Sequence, residues 1–385
     1  MNEYESVRPT AFSCPSCGGR MVFSPADQQL KCPYCGTLKP FQVSRETPNE
    51  FDIRYAPPTQ DTAWGDRTRV LRCGKCGVEL VTTGETELTE CPFCGSAEIA
   101  ESDSGNGIAP ENMIPFQVPQ KQAEEICRKW VRMKIFACRP FRKMALSGKL
   151  TGLYLPHWTY IDDASSRYTG KAGRYYEADI PYTVTDSDGK ERRETRKERL
   201  TRWEAASGTL EEHFDDVLIP ASDRLPEQLI NDALPYRMSR MTRYMPECIA
   251  GYACEKPVLD VQEGWKQAQG MVDRRMAVLA ERELLARADE AKVQQLETTH
   301  YNVRYKLVLL PVYLAACQYR GRPRRILING ESGRLSGRAP LSPLKVGIAV
   351  LLVLALILGL GWLFMARGGS DYMLYDFGGR IRTLL

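Results

Sequence analysis

Eight of the thirteen cysteines fall into two sets with the same spacing, and cysteine thiolates are strong ligands for metal ions. Each set reads C-x2-C-x14-C-x2-C, and every cysteine of the second set lies 59 positions after its counterpart in the first. Two thiolates three residues apart in a tight turn can point at one ion. The spacing therefore predicts two four-cysteine metal sites, formed by Cys14, Cys17, Cys32 and Cys35 and by Cys73, Cys76, Cys91 and Cys94.

The donor set indicates which metal the two sites bind. Four sulfurs suit tetrahedral Zn²⁺ and leave no open position for a catalytic water. A module of about 25 residues buries little apolar surface, so the metal supplies folding energy that its core lacks. We predict two structural Zn²⁺ ions, with iron in an all-sulfur site as the less favoured alternative. Ligands shared between the sets are disfavoured because each set is complete by itself.

Other residues that could do chemistry are few. The chain has three histidines, no G-x4-G-K-[ST] phosphate loop and no G-x-S-x-G nucleophile motif. His213 beside Asp215 and Asp216 is a common surface arrangement, and Cys248 and Cys254 are expected to be inert rather than a redox pair. We therefore expect no catalytic residues, no small-molecule substrate and no enzyme. Acid–base or redox chemistry at these positions is the last-ranked alternative.

A long apolar segment lies near the carboxyl end. Residues 346–365 contain no charged side chain, and as a helix they would be about 30 Å long, enough to cross a bilayer. The segment predicts a transmembrane helix over 343–366, with Ser342 at its N-cap. Seven lysines and arginines lie between 320 and 345, and three follow the segment. By the positive-inside rule, the amino-terminal bulk is cytoplasmic and the tail 367–385 lies outside the inner (cytoplasmic) membrane.

The remaining pattern gives the domain organisation and an α+β fold class. The first ten residues lack an apolar signal segment, so we expect the cysteines to stay in a reducing compartment. We expect a first zinc ribbon over 10–42, a linker over 43–68, a second ribbon over 69–100, a linker over 101–112 and a β-rich body over 113–340.

The body shows three further patterns. Residues 152–203 are β-rich, with a hairpin turn at Asp188-Gly189, and residues 261–298 have the composition of a long helix that covers the sheet. The segments LYLPHW (153–158) and VLLPVY (308–313) share a pattern with proline at the same place. They predict two related β-units by internal duplication. Proline within a strand pattern predicts an edge or a bulge.

Charge separates the ribbons from the body. Residues 1–110 carry a net charge of −5, and residues 111–345 carry +8. Nucleic-acid-binding modules are normally basic, so the acidic region 1–110 that holds the ribbons favours protein partners, and we do not expect nucleic acid. The basic body next to the membrane could attract anionic lipid. Its role in topology and solubility explains the charge equally well.

Several segments together carry a resemblance. They are the CPxCG turns, IPF (114–116), LYLPHWTY (153–160), YTG (168–170), TRW (201–203), FDDVL (214–218), AS (221–222), AGY (250–252), LLPVY (309–313) and NGESG (329–333). Over roughly residues 10–345 the sequence resembles bacterial zinc-ribbon membrane proteins, labelled as containing a TFIIB-type zinc ribbon or as like the primosomal helicase. The helicase label does not carry over because the chain has no ATP-binding loop.

The resemblance implies a scaffold in membrane-stress systems, with phage-shock-type and SPFH-domain proteins as partners. It supplies no catalytic residues. With the acidic charge of residues 1–110, it predicts a membrane-anchored, non-enzymatic adaptor that recruits cytoplasmic proteins to the bacterial inner membrane. A membrane-tethered nucleic-acid-binding protein is the alternative.

Overall fold

A computed structural model describes most of the chain. The described residues are 13–19, 21–24, 29–40, 50–56, 64, 68–83, 88–103, 105, 107–146, 150–185, 191–244, 249 and 251–368. The predicted hairpin turn at Asp188-Gly189, most of the linker 43–68 and nearly all of the tail 367–385 lie outside them. The described part is α+β, as expected, with a predominance of sheet.

The elements are as follows in chain order. The strands are β1 (Val22–Ser24), β2 (Gln29–Lys31), β3 (Leu38–Lys39), β4 (Phe51–Asp52), β5 (Thr68–Cys73), β6 (Glu79–Thr83), β7 (Ile99–Ser102), β8 (Asn112–Met113), β9 (Thr151–Thr185), β10 (Glu191–Pro220), β11 (Thr242–Arg243), β12 (Ala253–Glu255), β13 (Glu290–Tyr319), β14 (Arg322–Asn329) and β15 (Leu335–Gly337). The helices are α1 (Gln120–Met133), α2 (Arg139–Leu146), α3 (Glu227–Asn231), α4 (Val261–Leu285) and α5 (Pro343–Gly368).

The strands form a small sheet and a large one. The small sheet, β1-β2-β3, belongs to the first cysteine set. The large sheet has the order β11-β8-β13-β9-β12-β6-β5-β7, and β10, β14 and β4 pair with its central strands. Strands β5 to β7 belong to the second cysteine set, and β12 joins them to β9. The second cysteine module therefore continues the sheet of the body.

The two similar segments of the body pair with each other at the centre of this sheet. In the antiparallel register of β9 and β13, Leu153 lies opposite Val312 and Trp158 opposite Leu307. The prediction that their prolines mark an edge or a bulge is wrong, because both prolines are in central strands.

The neighbouring strands explain how the sheet accepts these prolines. Along one side of β9, strand β12 pairs as far as Tyr154 and β10 pairs from His157 onward, so Pro156 lies in the gap between them. Along one side of β13, strand β8 pairs as far as Leu309 and β14 pairs from Val312 onward, so Pro311 lies in a similar gap. The carbonyls of Pro156 and Pro311 point away from the β9–β13 pair. They accept hydrogen bonds from the N–H groups of Ala221 and Gly330 at 2.9 and 2.8 Å. The missing proline N–H groups face these gaps, so no ladder hydrogen bond is lost.

Each face of the sheet has its own cover. Helices α1 and α2 pack on the face that carries Tyr154 and Tyr313, and α4 covers the same face further along, over Trp158 and Tyr160. The opposite face, which carries Leu155, packs against α3 and the second cysteine module. The hydrophobic core therefore lies on both sides of the central strands.

Two strands, β9 and β10, extend far beyond this core. Strand β9 has 35 residues, a contour of about 115 Å at a rise of about 3.3 Å per residue. Strand β13 accompanies it only as far as Gly173, opposite Glu290. Beyond that point, residues 174–185 of β9 pair with residues 191–202 of β10, and we name this two-stranded ribbon the distal arm. The two predicted hairpin strands are thus confirmed.

Helix α4 is shorter than predicted. It begins after the N-cap Asp260, whose carboxylate accepts from the N–H of Glu263 at 2.7 Å, and it ends at Leu285 rather than near 298. Residues 290–298 are strand because Ala291, Val293 and Leu296 pack against the last turns of α4. Tertiary pairing with β9 overrides their helical composition. The expectation of a helix that covers the sheet is confirmed.

Helix α5 follows the body directly. Its first turn is held by the α1–α2 connection: Ser342 N–H donates to Phe136 O at 2.8 Å, and Lys345 Nζ donates to the carbonyls of Ile135 and Ala137. Ser342 O accepts from Val346 N–H, as expected of an N-cap residue. The helix is long and apolar enough to span a membrane, and the apolar stretch is not buried in the described fold.

Candidate metal centres

Four turns with the same backbone geometry present the eight cysteines. In each turn the glycine after the second cysteine donates its N–H to the carbonyl of the first, as in Gly18 to Cys14 at 2.9 Å and Gly95 to Cys91 at 2.7 Å. All four glycines have φ between 70° and 75°, which only glycine adopts without strain. This turn places the two thiols on one side, and two such turns face each other in each set.

The sulfur distances fit a tetrahedral ion. Cys14 Sγ lies 3.4 Å from Cys35 Sγ, and Cys73 Sγ lies 3.7 Å from Cys94 Sγ. Within each set all four sulfurs lie within 4.8 Å of one another. Metal–sulfur bonds of about 2.3 Å in a tetrahedron place sulfurs about 3.8 Å apart. The structure therefore has two separate four-cysteine groups that could each hold a metal ion, as the spacing predicted.

The first group lies at the surface. Cys17 and Cys35 are exposed, while Cys14 and Cys32 pack against Met21 and Leu30 of their own module. Hydrogen bonds from the Thr37 hydroxyl and backbone N–H lower the pKa of the Cys35 thiol. The apolar cluster that holds Cys14 and Cys32 continues into the rest of the fold, where it includes Trp64 and Met113.

The second group is set into the body. Three of its cysteines are buried, within an apolar cluster that includes Leu80 and Phe93. Burial raises the pKa of the Cys91 thiol, and it raises the pKa of Cys94 to about 11. A bound cation supplies the positive charge that keeps such buried thiolates ionised.

Two arginines of the body contact the second group. Arg325 Nε donates to Phe93 O at 2.7 Å, and Arg224 Nη1 donates to Cys76 O at 3.2 Å. A divalent ion with four thiolates would have a net charge of −2, which these guanidinium groups would offset. Both were missed from the sequence. Arg325 belongs to the basic run before the apolar segment, which the positive-inside rule already explains, and nothing local distinguishes Arg224.

A buried polar pair lies beside these arginines. The Ser222 hydroxyl donates to the carboxyl of Glu255, and burial raises the pKa of Glu255 to about 8. Burial also lowers the pKa of nearby His157 to about 4. The space between Glu255 and His157 is too small for a water molecule. These side chains therefore fill the interface between β12 and β9.

The other residues weighed for chemistry are not assembled together. His213 Nδ1 lies 2.6 Å from Asp163 Oδ1, across the strand pair, while Asp216 pairs with Lys306 at 3.0 Å. Cys254 is fully buried, and burial raises its pKa. Cys248 lies outside the described residues.

One polar cluster beneath α4 was not predicted. His300 Nδ1 lies 2.7 Å from Asp162 Oδ2, and His300 Nε2 lies 3.2 Å from Asp273 Oδ1 on α4. The hydrogen bond to Asp162 is the main cause of a raised pKa of His300. The three residues are far apart in sequence and only the fold brings them together, so no local signal marks them. The cluster ties α4 to the sheet.

The fold and sites define a class: a protein with two four-cysteine centres, one built into a large sheet that leads to an apolar carboxyl-terminal helix. No family model matches the chain, and no solved structure matches it. It is similar to a protein of Bacillus subtilis strain 168 named as uncharacterised protein YdjG. The two are 25% identical over 343 residues, which cover 87% of this chain and 92% of YdjG.

Proposed function

We propose that this protein is a membrane-anchored, non-enzymatic adaptor whose two zinc ribbons and β-rich body recruit cytoplasmic proteins to the bacterial inner membrane. The observation that carries the proposal is the continuous connection from the second cysteine group to α5. The sheet runs from β5 through β12 and β9 to β13, and the α1–α2 unit that packs on β13 holds the first turn of α5.

The metal in this proposal is zinc. The sulfur distances and the closed four-thiolate donor set support it. Elemental analysis of the purified full-length protein should give two zinc ions per chain. A zinc content near zero, or dominant iron, would contradict the assignment.

The proposed orientation places the body in the cytoplasm. Exposed arginines at 320, 322 and 334 precede α5, and cations near a span are retained on the cytoplasmic side. Reporter fusions test it. A fluorescent protein that folds only in the cytoplasm should be bright at the amino terminus and dark after residue 385, and the reverse pattern would overturn the orientation.

The proposed partners are proteins. The net charge of −5 over residues 1–110 as a whole favours protein contacts over phosphate contacts, and two cysteines of the first module, Cys17 and Cys35, lie at the surface. The family resemblance supports phage-shock-type and SPFH-domain proteins and a role in membrane stress. Purification from detergent-solubilised cells should recover such a partner with the native chain and lose it with a Cys14→Ser and Cys17→Ser variant. Equal recovery from both would refute ribbon-dependent recruitment.

A further inference from the structure

Helix α4 covers one face of the long strands for only part of their length. Its buried side packs over Trp158 and Tyr160 near its start and over Tyr168 near its end, where Leu284 contacts Gly170. These are even-numbered positions of β9, and alternate side chains of a strand point to the same face. The helix ends at Leu285, and β9 continues to Thr185.

The same face continues uncovered along the distal arm. Residues directly opposite in the antiparallel register share a face, which assigns one set of side chains from both strands. We name it the distal face: Arg174, Tyr176, Ala178, Ile180, Tyr182, Val184, Arg192, Glu194, Arg196, Glu198, Leu200 and Arg202. Half of these side chains are apolar, and Tyr176 and Tyr182 remain 39% and 38% exposed. An apolar stripe thus extends beyond the helix that covers its beginning.

The charges on this face are unbalanced at the end next to α4. Arg174 and Arg202 lie directly opposite each other, and like charges in this relation destabilise a strand pair. Neither forms an ion pair within the described part of the chain. The acidic side chains of the face are already engaged: Glu194 accepts from the Tyr182 hydroxyl at 2.9 Å, and Glu198 pairs with Arg196. An external acidic group would relieve the repulsion.

The dimensions also fit a second helix. The distal arm has 12 residue pairs, about 40 Å of two-stranded ribbon, and an unsupported two-stranded ribbon is marginally stable. A helix of about 25 residues has the same length. The fold already shows the required packing, since α4 lies along the preceding part of this face.

We propose that the distal face is the docking site for an amphipathic helix of a protein partner, apolar on the side that meets Ile180 and acidic along its flanks. The helix would lie on the sheet beyond the end of α4 and would place carboxylates beside Arg174 and Arg202. This inference deepens the proposed adaptor function and rests on it for the cytoplasmic location of the partner.

Other occupants fit less well. Two copies would each bring a face of net charge +2, from four arginines and two glutamates, and the two faces would repel each other. Single-stranded nucleic acid fits a uniformly basic groove, whereas Glu194 and Glu198 lie in the middle of this face. A bilayer would contact α5, whereas the tip of β9 lies about 100 Å along the strand from Tyr154, which packs with α1 and α2 beside the start of α5.

The experiment uses the full-length protein in detergent and two labelled model helices of about 25 residues. Both helices have leucine and alanine on one side; one carries glutamate along the flanks and the other lysine. Fluorescence anisotropy should show binding of the glutamate helix. Arg202→Glu should weaken that binding about tenfold and strengthen binding of the lysine helix.

Arg199→Glu is the matched control. Arg199 lies three residues away on the same strand, over the ring of Tyr175, and projects from the opposite face. It should change neither affinity by more than about twofold. Equal zinc content and circular dichroism would show that both variants fold.

Four results would overturn the proposal: no binding of the glutamate helix, equal losses in both variants, a change of oligomeric state with Arg202→Glu, or binding of an oligothymidylate that Arg202→Glu removes. Each leaves ribbon-dependent recruitment untouched. Conversely, loss of ribbon-dependent recruitment with intact helix binding would remove the adaptor mechanism but not the docking surface.

Discussion

At the scale of single residues, the two cysteine groups share ligands and spacing but differ in what surrounds them. The first is half exposed and lies beside short strands that form a separate sheet, whereas the second is buried beside Leu80, Phe93 and Arg325. A metal bound at each site would therefore contribute differently to stability. Metal at the first site would order a local module, and metal at the second would also support the body.

Serine substitutions in the two groups separate these contributions. Cys17→Ser should lose one metal ion and leave the unfolding of the body nearly unchanged, because Cys17 is exposed. Cys76→Ser should also lose one metal ion but lower Tm by several degrees, at about 2–4 °C per kcal/mol for a domain of this size. Metal analysis with thermal circular dichroism measures both. Equal shifts in Tm would show that burial of the second group does not matter.

The partly buried His300 gives a pH-dependent prediction. Asp162 and Asp273 raise the pKa of His300 above its ordinary value of about 6.5. A group whose pKa is higher in the folded state than in the unfolded state stabilises the fold. This contribution is complete below the unfolded pKa and is lost as the pH rises through the folded pKa. His300→Gln should therefore cost most stability at pH 5.5 and less at pH 9.

Denaturant titrations of both proteins at the two pH values measure this difference. His213→Gln is the control because its pair with Asp163 is more exposed, and such pairs contribute about 0–1 kcal/mol. A cost for His300→Gln that does not shrink with rising pH would rule out the proposed charge interaction.

At the scale of elements, α4 lies so close to the sheet that one position on it, Gly264, has no room for a larger residue. A Cβ on Gly264 would lie 2.3 Å from Tyr160 Oη and 3.0 Å from Trp158 Cδ1. The nearest atom to a Cβ on Gly270, in the same helix, would be 3.6 Å away in the flexible side chain of Arg274.

These two glycines should respond in opposite directions to alanine. Gly264→Ala should destabilise the fold by about 1–3 kcal/mol because it forces α4 away from β9. Gly270→Ala should stabilise it by up to about 1 kcal/mol, since alanine is the better helix former. Urea denaturation gives both values. A neutral Gly264→Ala would mean that α4 is not seated as the structure has it.

The elements also show how far the sequence was informative. Ligand spacing located the cysteine groups, and an uninterrupted apolar run located α5, because both signals are local. The prediction that Pro156 and Pro311 mark an edge or a bulge was wrong because a sheet's tolerance of proline depends on where the neighbouring strands end. The prediction of helix over residues 290–298 was wrong because their composition favours a helix, whereas their pairing with β9 makes them a strand. Arg224 and Arg325 become meaningful only when the second cysteine group docks on the body.

At the scale of the whole molecule, the two cysteine modules differ in their attachment to the rest. Strands β1 to β3 of the first form a sheet of their own, whereas β6 of the second pairs with β12. Removal of the second module would expose the edge of β12 and the apolar cluster around Leu155 and Leu310.

Two deletions test this asymmetry. A chain that lacks residues 1–42 should fold with a body of nearly native Tm and should retain one metal ion. A chain that lacks residues 1–103 should be insoluble or much less stable, because an exposed edge strand and apolar surface favour aggregation. Size-exclusion chromatography and thermal denaturation of the detergent-solubilised proteins measure both. A soluble, stable product of the longer deletion would refute the structural dependence.

The place of β13 in the sheet has a consequence for biosynthesis. It pairs with β9, but it is translated only after β10 and α4, with partners as distant as Thr151 and Leu314. Until residues 290–319 emerge from the ribosome, the other edge of β9 has no β13 beside it, and pairing over such separations is slow. The apolar helix α5 then follows within 24 residues. Closure of the sheet and delivery of the helix to the membrane therefore fall in the same short interval of synthesis, when a long open edge is most prone to aggregation.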